Sequence, residues 1–277
     1  MSKKIIDIKN EFSQSPIQDI KTLIKEYEND ERVTVKRLIT SYSNKLRTYE
    51  KEKIRLETIC EYEKEYHSKG YVHIAGIDEV GRGPLAGPVV SCAVILPKDA
   101  YIEGINDSKK LSPKKREEIF IEIKKQAIDI GIGIVEPKQI DEINILNATK
   151  LSMKIALHNL KTKPDYLFID ALTLHDVNIP QLDIIKGDEK SISISAASIV
   201  AKVTRDAIMQ DYHKIYPNYN FNSNKGYGSK DHIEGIKKHG LCPIHRRSFV
   251  KKFVFIESEL DKMEKNENKV VKKKQLQ

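Results

Sequence analysis

The chain has 277 residues, 39% of them hydrophobic, with 48 Lys and Arg against 40 acids, a net charge of +8 and a pI near 9.1. That length suits one large domain, or one domain with an appendage, and the charge favours polyanionic partners while equally suiting an ordinary basic protein. Cys60, Cys92 and Cys242 form no CxxC pair and apolar runs are interrupted by Pro84, Pro88 and Pro97, so a disulfide framework, a structural zinc site, export and membrane spanning are not expected, and a reducing cytoplasm fits best.

Residues 1–70 carry 15 Lys and Arg against 13 acids and read as a small helical appendage. Helix-like segments fall at about 17–28 and 32–66, with a loose apolar stripe through Val35, Leu38, Tyr42, Leu46 and Tyr49. From Tyr71 the character changes. Strands are expected at about 72–78 and 88–96, a helix from Pro113, a strand at 131–136, a helix at 144–160, a strand at 166–170 and a short strand at 183–186. Adjacent strands followed by strand–helix units argue for an α/β fold with a mixed sheet covered by helices. The long helix from about Ser193 to Ile215 has an apolar stripe of Ala196, Ile199, Val200, Val203 and Ala207 that packs on the sheet, leaving Lys202, Arg205 and Asp206 on other faces. Pro217 stops it, and a polar loop, 218–229, precedes a short helix near 230–239. The expected organisation is a helical extension at 1–70, a main α/β domain with C-terminal helices at 71–255, and a charged flexible tail at 256–277 that includes the solvated Lys269-Val270-Val271-Lys272-Lys273-Lys274 run.

The segment Gly76–Pro88, GIDEVGRGPLAGP, puts two acids beside a glycine-flanked arginine at the end of an apolar run. That is a place to hold metal next to phosphate. The flanking runs are rich in β-branched residues, so Asp78 and Glu79 are expected where a strand gives out into a loop. Neighbouring side chains of a strand point to opposite faces, so the two acids serve one site only from different directions or across a bend, which Gly81 and Gly83 make easy. Asp170 ends an apolar run, Tyr166–Ile169, and suits either a site at a strand's C-terminal edge or a helix N-cap. Asp188, in Lys186-Gly187-Asp188-Glu189, also reads as a turn residue. Taken alone, Gly81-Arg82-Gly83 is a tight turn, Tyr227 a loop aromatic, and Lys109 and Lys202 solvated lysines. His158, His175 and His245 lack the context of nucleophilic catalysis and read as structural or surface residues.

Together, GIDEVGRGPLAGPVV, Asp107-Ser108-Lys109-Lys110-Leu111-Ser112, Phe168-Ile169-Asp170, Lys186-Gly187-Asp188, Ala196–Asp206 and Lys225-Gly226-Tyr227-Gly228 resemble ribonuclease HII, in the family's order. The resemblance covers roughly Tyr71 to Phe249, and residues 1–70 look like the N-terminal extension some bacterial members carry. It implies a ribonuclease H-like fold and an endonuclease that hydrolyses RNA in RNA–DNA hybrids. It also implies nicking of duplex DNA 5′ to an embedded ribonucleotide, leaving 3′-OH and 5′-phosphate ends, as in ribonucleotide removal during DNA replication and repair.

By the same resemblance Asp78, Glu79, Asp170 and Asp188 are catalytic metal ligands. Four converging carboxylates repel one another, and divalent metal removes that conflict. Oxygen-only ligands suit Mn²⁺ or Mg²⁺, and two ions roughly 3.5–4 Å apart serve an in-line phosphoryl displacement. The resemblance further makes Gly81, Arg82 and Gly83 readers of the ribose 2′-OH, which both donates and accepts hydrogen bonds. Tyr227 then stacks on the sugar of the following deoxynucleotide. Lys109 and Lys202 lie along the nucleic-acid track, with Arg205 a weaker candidate. The partners expected are RNA–DNA hybrid and ribonucleotide-containing duplex, with no membrane and the protein a monomer. Two positions depart from the family pattern: Ser195 replaces a small apolar residue, and Ala171 follows Asp170 where glycine is frequent.

Two other readings compete. A sister ribonuclease H type prefers long RNA stretches, but it normally lacks an arginine between the two glycines and carries a sheet-like N-terminal platform. A non-catalytic nucleic-acid binding module explains the basic charge and leaves the four acids unexplained.

Overall fold

The computed structural model describes residues 3–251; the expected tail at 256–277, with its Lys269–Lys274 run, lies outside the described residues. The chain divides into two compact units between Glu61 and Tyr62, inside the segment 1–70 that composition sets apart.

The first unit is helical: α1 (Ile5–Gln14), a 3₁₀ turn at Ile17–Asp19, α2 (Ile20–Tyr27) and α3 (Val33–Ile59). Its core is Ile8, Phe12, Ile20, Tyr27 and Val35, against which Leu38, Tyr42 and Leu46 of the expected stripe pack. Phe12 is the centre of this cluster, its ring 5.0 Å from that of Tyr42 and 6.0 Å from that of Tyr27. The expected single helix at 32–66 is two: the chain leaves helical geometry at Cys60 (φ −95°, ψ 3°) and resumes in α4 (Glu61–Ser68).

The second unit is built on β1 (Ile74–Val80), β2 (Val89–Ile95), β3 (Asp129–Val135), β4 (Tyr166–Asp170) and β5 (Gln181–Ile184), in the spatial order β3-β2-β1-β4-β5. β1 pairs antiparallel with β2 and parallel with β4, β2 is antiparallel to β3, and β4 is parallel to β5, so the sheet is mixed. The remaining helices are α5 (Pro113–Gln126), α6 (Pro137–His158), α7 (Gly187–Lys190), α8 (Ile192–Ile215), α9 (Phe221–Asn224), α10 (Lys230–His239) and α11 (Arg247–Val250).

Two boundaries shift for physical reasons. The backbone N–H groups of Val72 and His73 donate to the Asp165 carboxylate at 2.7 and 3.0 Å instead of to a neighbouring strand, so β1 starts at Ile74. At its other end β1 keeps pairing through Glu79↔Ser91 and Val80↔Val90; Asp78 and Glu79 therefore lie within the strand, short of the loop where they were expected. In α6 an earlier helical segment starts at Pro137, and Asn144 (φ 66°, ψ 165°) interrupts it, its Oδ1 accepting from Asn147 N at 3.1 Å. The helix expected from 144 is the second of these segments.

The sheet lies between α6 and α8. Ala75, Ile77, Ala93, Ile95, Leu167 and Ile169 bury with Met153 and Ala156 of α6, and Ile74, Phe168 and Ile184 bury with Ile194 of α8 and Tyr62 and Tyr66 of α4. Close approach requires a small residue: a Cβ on Gly76 would stand 2.1 Å from the Ser193 carbonyl carbon. The first ten residues of α8, Ile192–Ala201, are all buried, so that helix has no outer face there. Arg205, expected on another face and as a weaker phosphate candidate, is fully buried, and its backbone partners are described below. Of the expected stripe, Ala207 is exposed.

Candidate active site

Side-chain alternation sets the site. With Ala75, Ile77, Leu167 and Ile169 on the α6 face, Asp78 and Asp170 fall on the α8 face of adjacent parallel strands. Asp78 is buried; its Oδ1 accepts from Glu79 N at 2.7 Å, and Ser198 of α8 lies beside its carboxylate. Ser198 also lies 2.9 Å, Oγ to Oγ, from Ser108, which brings the Asp107–Leu111 turn to the same place. Asp170 Oδ1 accepts from Gly187 N at 2.8 Å. That bond fixes the start of α7 and with it Asp188. Lys109 Nζ stands 4.0 Å from Asp188, and Arg82 Nη1 donates to Glu79 Oε1 at 3.2 Å.

The carboxylates feel one another. Burial holds the Asp78 pKa well above the usual carboxylate range, and the charges of Glu79 and Asp170 raise it further. Burial also raises Glu79, opposed by Arg82, with Asp170 adding to the rise. Asp188 is pushed up to about 6 by burial, then by Asp107 and Asp170, against the pull of Lys109. One oxygen, Glu79 Oε2, is buried with no hydrogen-bond partner. Crowded acids and a bare carboxylate oxygen are what a hard divalent cation would neutralise. Among the described residues no three of His, Cys, Asp or Glu are drawn into a cage around one point, so the fit rests on the chemistry of the donors.

The rim of the site is held from behind by two buried arginines. Arg246 donates to Gly81 O at 2.6 Å, Arg82 O at 3.0 Å and Gly87 O at 2.9 Å; Arg205 donates to Pro88 O and Lys225 O at 2.9 Å and Ala86 O at 3.2 Å. Gly81 has φ +92°, and a Cβ there would stand 2.3 Å from Arg205 Nε, so no other residue fits. Leu85 N donates to Gly226 O at 2.8 Å, joining the Gly81–Pro88 loop to the Tyr227 loop. Arg82 and Tyr227 are exposed, and a Cβ on Gly83 would stand 3.7 Å from the Tyr227 ring. Beneath Tyr227, His232 Nδ1 lies 2.8 Å from its carbonyl oxygen and His232 Nε2 lies 3.0 Å from His245 Nε2. Burial, followed by the charge of His232, pushes His245 down to about 4, which keeps this pair neutral near pH 7 and leaves it a structural support.

The structure thus brings Asp78, Glu79, Asp170, Asp188 and Lys109 together and sets Gly81, Arg82, Gly83 and Tyr227 beside one another. Lys202 is set apart from the acids, half-buried with Nζ 2.7 Å from Asp206. Asp107, Ser198, His232 and Arg246 were not read from sequence as parts of the site, and Arg205 was read as a weaker phosphate candidate and not as a buried support of the rim. For Arg205 a signal existed: Ala201, Arg205 and Met209 are buried at spacings of four, one face of α8 that an apolar-only stripe passes over.

The ribonuclease HII family model matches residues 75–252. The chain belongs to the ribonuclease HII family. A second model, the ribonuclease HII N-terminal domain, matches residues 4–67. The ribonuclease HII of Acetivibrio thermocellus is 60% identical over 79% of this chain and 86% of its own length, and that of Clostridioides difficile is 53% identical over 90% and 98%. Among solved structures, ribonuclease H2 of Pyrococcus horikoshii covers 64% of this chain and 93% of its own at 32% identity with a TM-score of 0.53. The RNase HII of Archaeoglobus fulgidus, solved in complex with PCNA, covers 64% and 94% at 27% identity and 0.54. Family membership makes the chain a hydrolase of the ribonuclease H class, a divalent-metal-dependent endonuclease acting on RNA–DNA hybrids. No helix among the described residues is long and apolar enough to cross a membrane.

Proposed function

We propose that this member of the family nicks duplex DNA on the 5′ side of an embedded ribonucleotide, as well as cutting RNA–DNA hybrids, and so serves ribonucleotide removal in replication and repair. The observation that carries this reading is the apposition of the exposed Tyr227 ring and Gly83, 3.7 Å from a Cβ built there, on the rim of the acid cluster. A sugar lying against Gly83 meets backbone groups with no side chain in the way, and its 2′-OH distinguishes RNA from DNA there. The neighbouring sugar meets the tyrosine ring. A hydroxyl on that second sugar is not required, so an RNA-to-DNA junction suffices.

Asp78, Glu79, Asp170 and Asp188 are proposed to hold two Mn²⁺ or Mg²⁺ ions. When bound, these supply the positive charge that offsets charge developing on the phosphoryl oxygens. The chain itself orients: Glu79 N fixes Asp78, Gly187 N fixes Asp170, and Arg82 steadies Glu79. Lys109, exposed beside Asp188, is placed to meet a phosphate, whereas Lys202 already donates to Asp206 and has its remaining N–H donors for one. A monomer suffices for this arrangement, since every residue named comes from one chain. The test is incubation with Mg²⁺ or Mn²⁺ and a DNA duplex containing one ribonucleotide. A nick on its 5′ side, leaving a 3′-OH and a 5′-phosphate, is expected; cleavage of uniform hybrid alone would overturn the junction reading.

A further inference from the structure

Glu63, on α4, is an acid that the site chemistry does not use and that the second unit nevertheless buries, at 6% exposure. One carboxylate oxygen accepts three hydrogen bonds: from Ser191 Oγ at 2.5 Å, Ser193 Oγ at 2.7 Å and Ser193 N at 3.1 Å. The other oxygen, Oε2, has no hydrogen-bond partner. An acid buried with half its acceptor capacity unused loses hydration that only strong local interactions offset. The first turn of α8 supplies them, because Ser191 is the N-cap of that helix and a helix N-terminus attracts negative charge.

What hangs on this corner is the site. Ser191 N donates to Gly187 O at 2.9 Å, closing α7, and Ser195 Oγ donates to the Asp188 carbonyl. The bonds that Glu63 receives therefore fix the segment from which Asp188 projects. Further along the same helix Ser198 lies beside the Asp78 carboxylate and meets Ser108, Oγ to Oγ, at 2.9 Å. Ser193, the residue Glu63 grips with both backbone and side chain, is the one whose backbone lies against Gly76 of β1, two residues before Asp78.

We propose that Glu63 is a positioning residue of the metal site, locking the α7–α8 corner so that Asp188 and Ser198 are held in register with Asp78. The proposal rests on the reading of these acids as metal ligands. It also assigns work to the segment matched by the N-terminal-domain model, which ends at residue 67: its last helix places a carboxylate inside the catalytic unit.

The test uses the full chain as wild type, Glu63→Ala, Glu63→Gln, Ser193→Ala and the Glu63→Ala/Ser193→Ala double variant. Mn²⁺ binding is read directly from the electron paramagnetic resonance signal of the free ion, with melting temperature and nicking of a single-ribonucleotide duplex measured alongside. Partners one shell out from a metal ligand are worth about 10–100-fold in affinity, so Glu63→Ala, one link further, is expected to weaken Mn²⁺ binding by about tenfold. The KM for duplex at saturating Mn²⁺ should stay unchanged. Glu63→Gln keeps an acceptor oxygen and should recover most of the loss, and Ser193→Ala should lose less than Glu63→Ala. The double variant should bind Mn²⁺ no more weakly than Glu63→Ala, because both act through one interaction.

Unchanged Mn²⁺ affinity in a folded Glu63→Ala protein, with only a lower melting temperature, would overturn the proposal. If that variant does not fold, unchanged affinity in a folded Ser193→Ala protein overturns it equally. A wild type that binds Mn²⁺ without nicking sinks the proposed function and leaves the Glu63 comparison decisive. A wild type that binds no Mn²⁺ sinks both.

Discussion

Asp170 shows how one side chain is fixed twice, by its strand and by Gly187 N at 2.8 Å. Asp170→Asn keeps an acceptor for that N–H and removes the charge. Cleavage should fall by more than about 100-fold, beyond the ~10–100-fold typical of residues that merely support a metal ligand, while the melting temperature in metal-free buffer stays close to wild type. A stability loss with retained turnover would return Asp170 to the helix-cap role its sequence also allowed. Asp188 has a pH signature. Its folded pKa, about 6, is raised above the ordinary 3.8, so the metal-free native state holds that proton more tightly than the unfolded chain does. The stabilisation is complete below pH 3.8 and disappears as pH rises through about 6. His245 works the other way: depressed from 6.5 to about 4, it contributes stability above 6.5 that is lost as pH falls through about 4. The two slopes oppose each other across one window. The stability of wild type relative to Asp188→Asn, from denaturation at about pH 4 to 7 without metal, should therefore fall as pH rises, and added Mn²⁺ should reverse that fall at the upper end.

At the scale of elements, the packing of α8 on β1 depends on a missing side chain. Gly76→Ala places a methyl 2.1 Å from the Ser193 carbonyl carbon, and backbone rather than a flexible side chain must yield. Overpacking typically costs about 1–3 kcal/mol, and urea unfolding should show at least that loss, together with weaker Mn²⁺ binding because the corner moves. The two rim loops behave as one element, since Arg205, Arg246 and the Leu85–Gly226 bond hold both. Stacking on an aromatic ring is worth about 1–3 kcal/mol, so Tyr227→Ala should lower activity on a single-ribonucleotide duplex relative to uniform hybrid, and Arg82→Ala should lower it by loosening the grip on the sugar. An unchanged ratio in both variants would remove these residues from junction reading. Sequence made the sheet, its main helices and the order of the motifs readable, because β-branched runs and glycine or proline boundaries act locally. It did not show α1, whose apolar residues are too few to stand out, or α7, a single turn dictated by Asp170 and the Ser191 cap.

For the molecule as a whole, the place to divide the chain is between Glu61 and Tyr62. A chain beginning at Gly70, near the boundary that composition suggested, loses Glu63 as well as Tyr62 and Tyr66, which pack against Phe168 with ring centroids at 6.0 and 5.1 Å. A chain beginning at Tyr62 keeps them. The shorter chain should have the lower melting temperature and the weaker Mn²⁺ binding, and equal values for both would show that α4 adds nothing to the catalytic unit. Truncation to Tyr62 also tests the first unit for a role in holding nucleic acid. For every phosphate that residues 1–61 neutralise in the full chain, their removal should flatten the slope of log affinity against log salt by about 0.7–0.9. An unchanged slope would exclude such a role.

Local chemistry alone settled that this chain makes an α/β fold with a helical extension, and motif order alone pointed to its family and to Asp78, Glu79, Asp170 and Asp188. Strand periodicity, glycine and proline punctuation and short motifs are properties of neighbouring residues, so they survive reading in one dimension. Tertiary structure decided the rest. It turned Arg205 from a surface cation into a buried donor, made Arg246 the support of a loop far from it in sequence, paired His232 with His245 beneath Tyr227, and tied Glu63 to Ser191 and Ser193 across 128 and 130 positions. Each of these depends on which polar groups are left without water once the core closes, and only the folded chain brings the partners that satisfy them within reach.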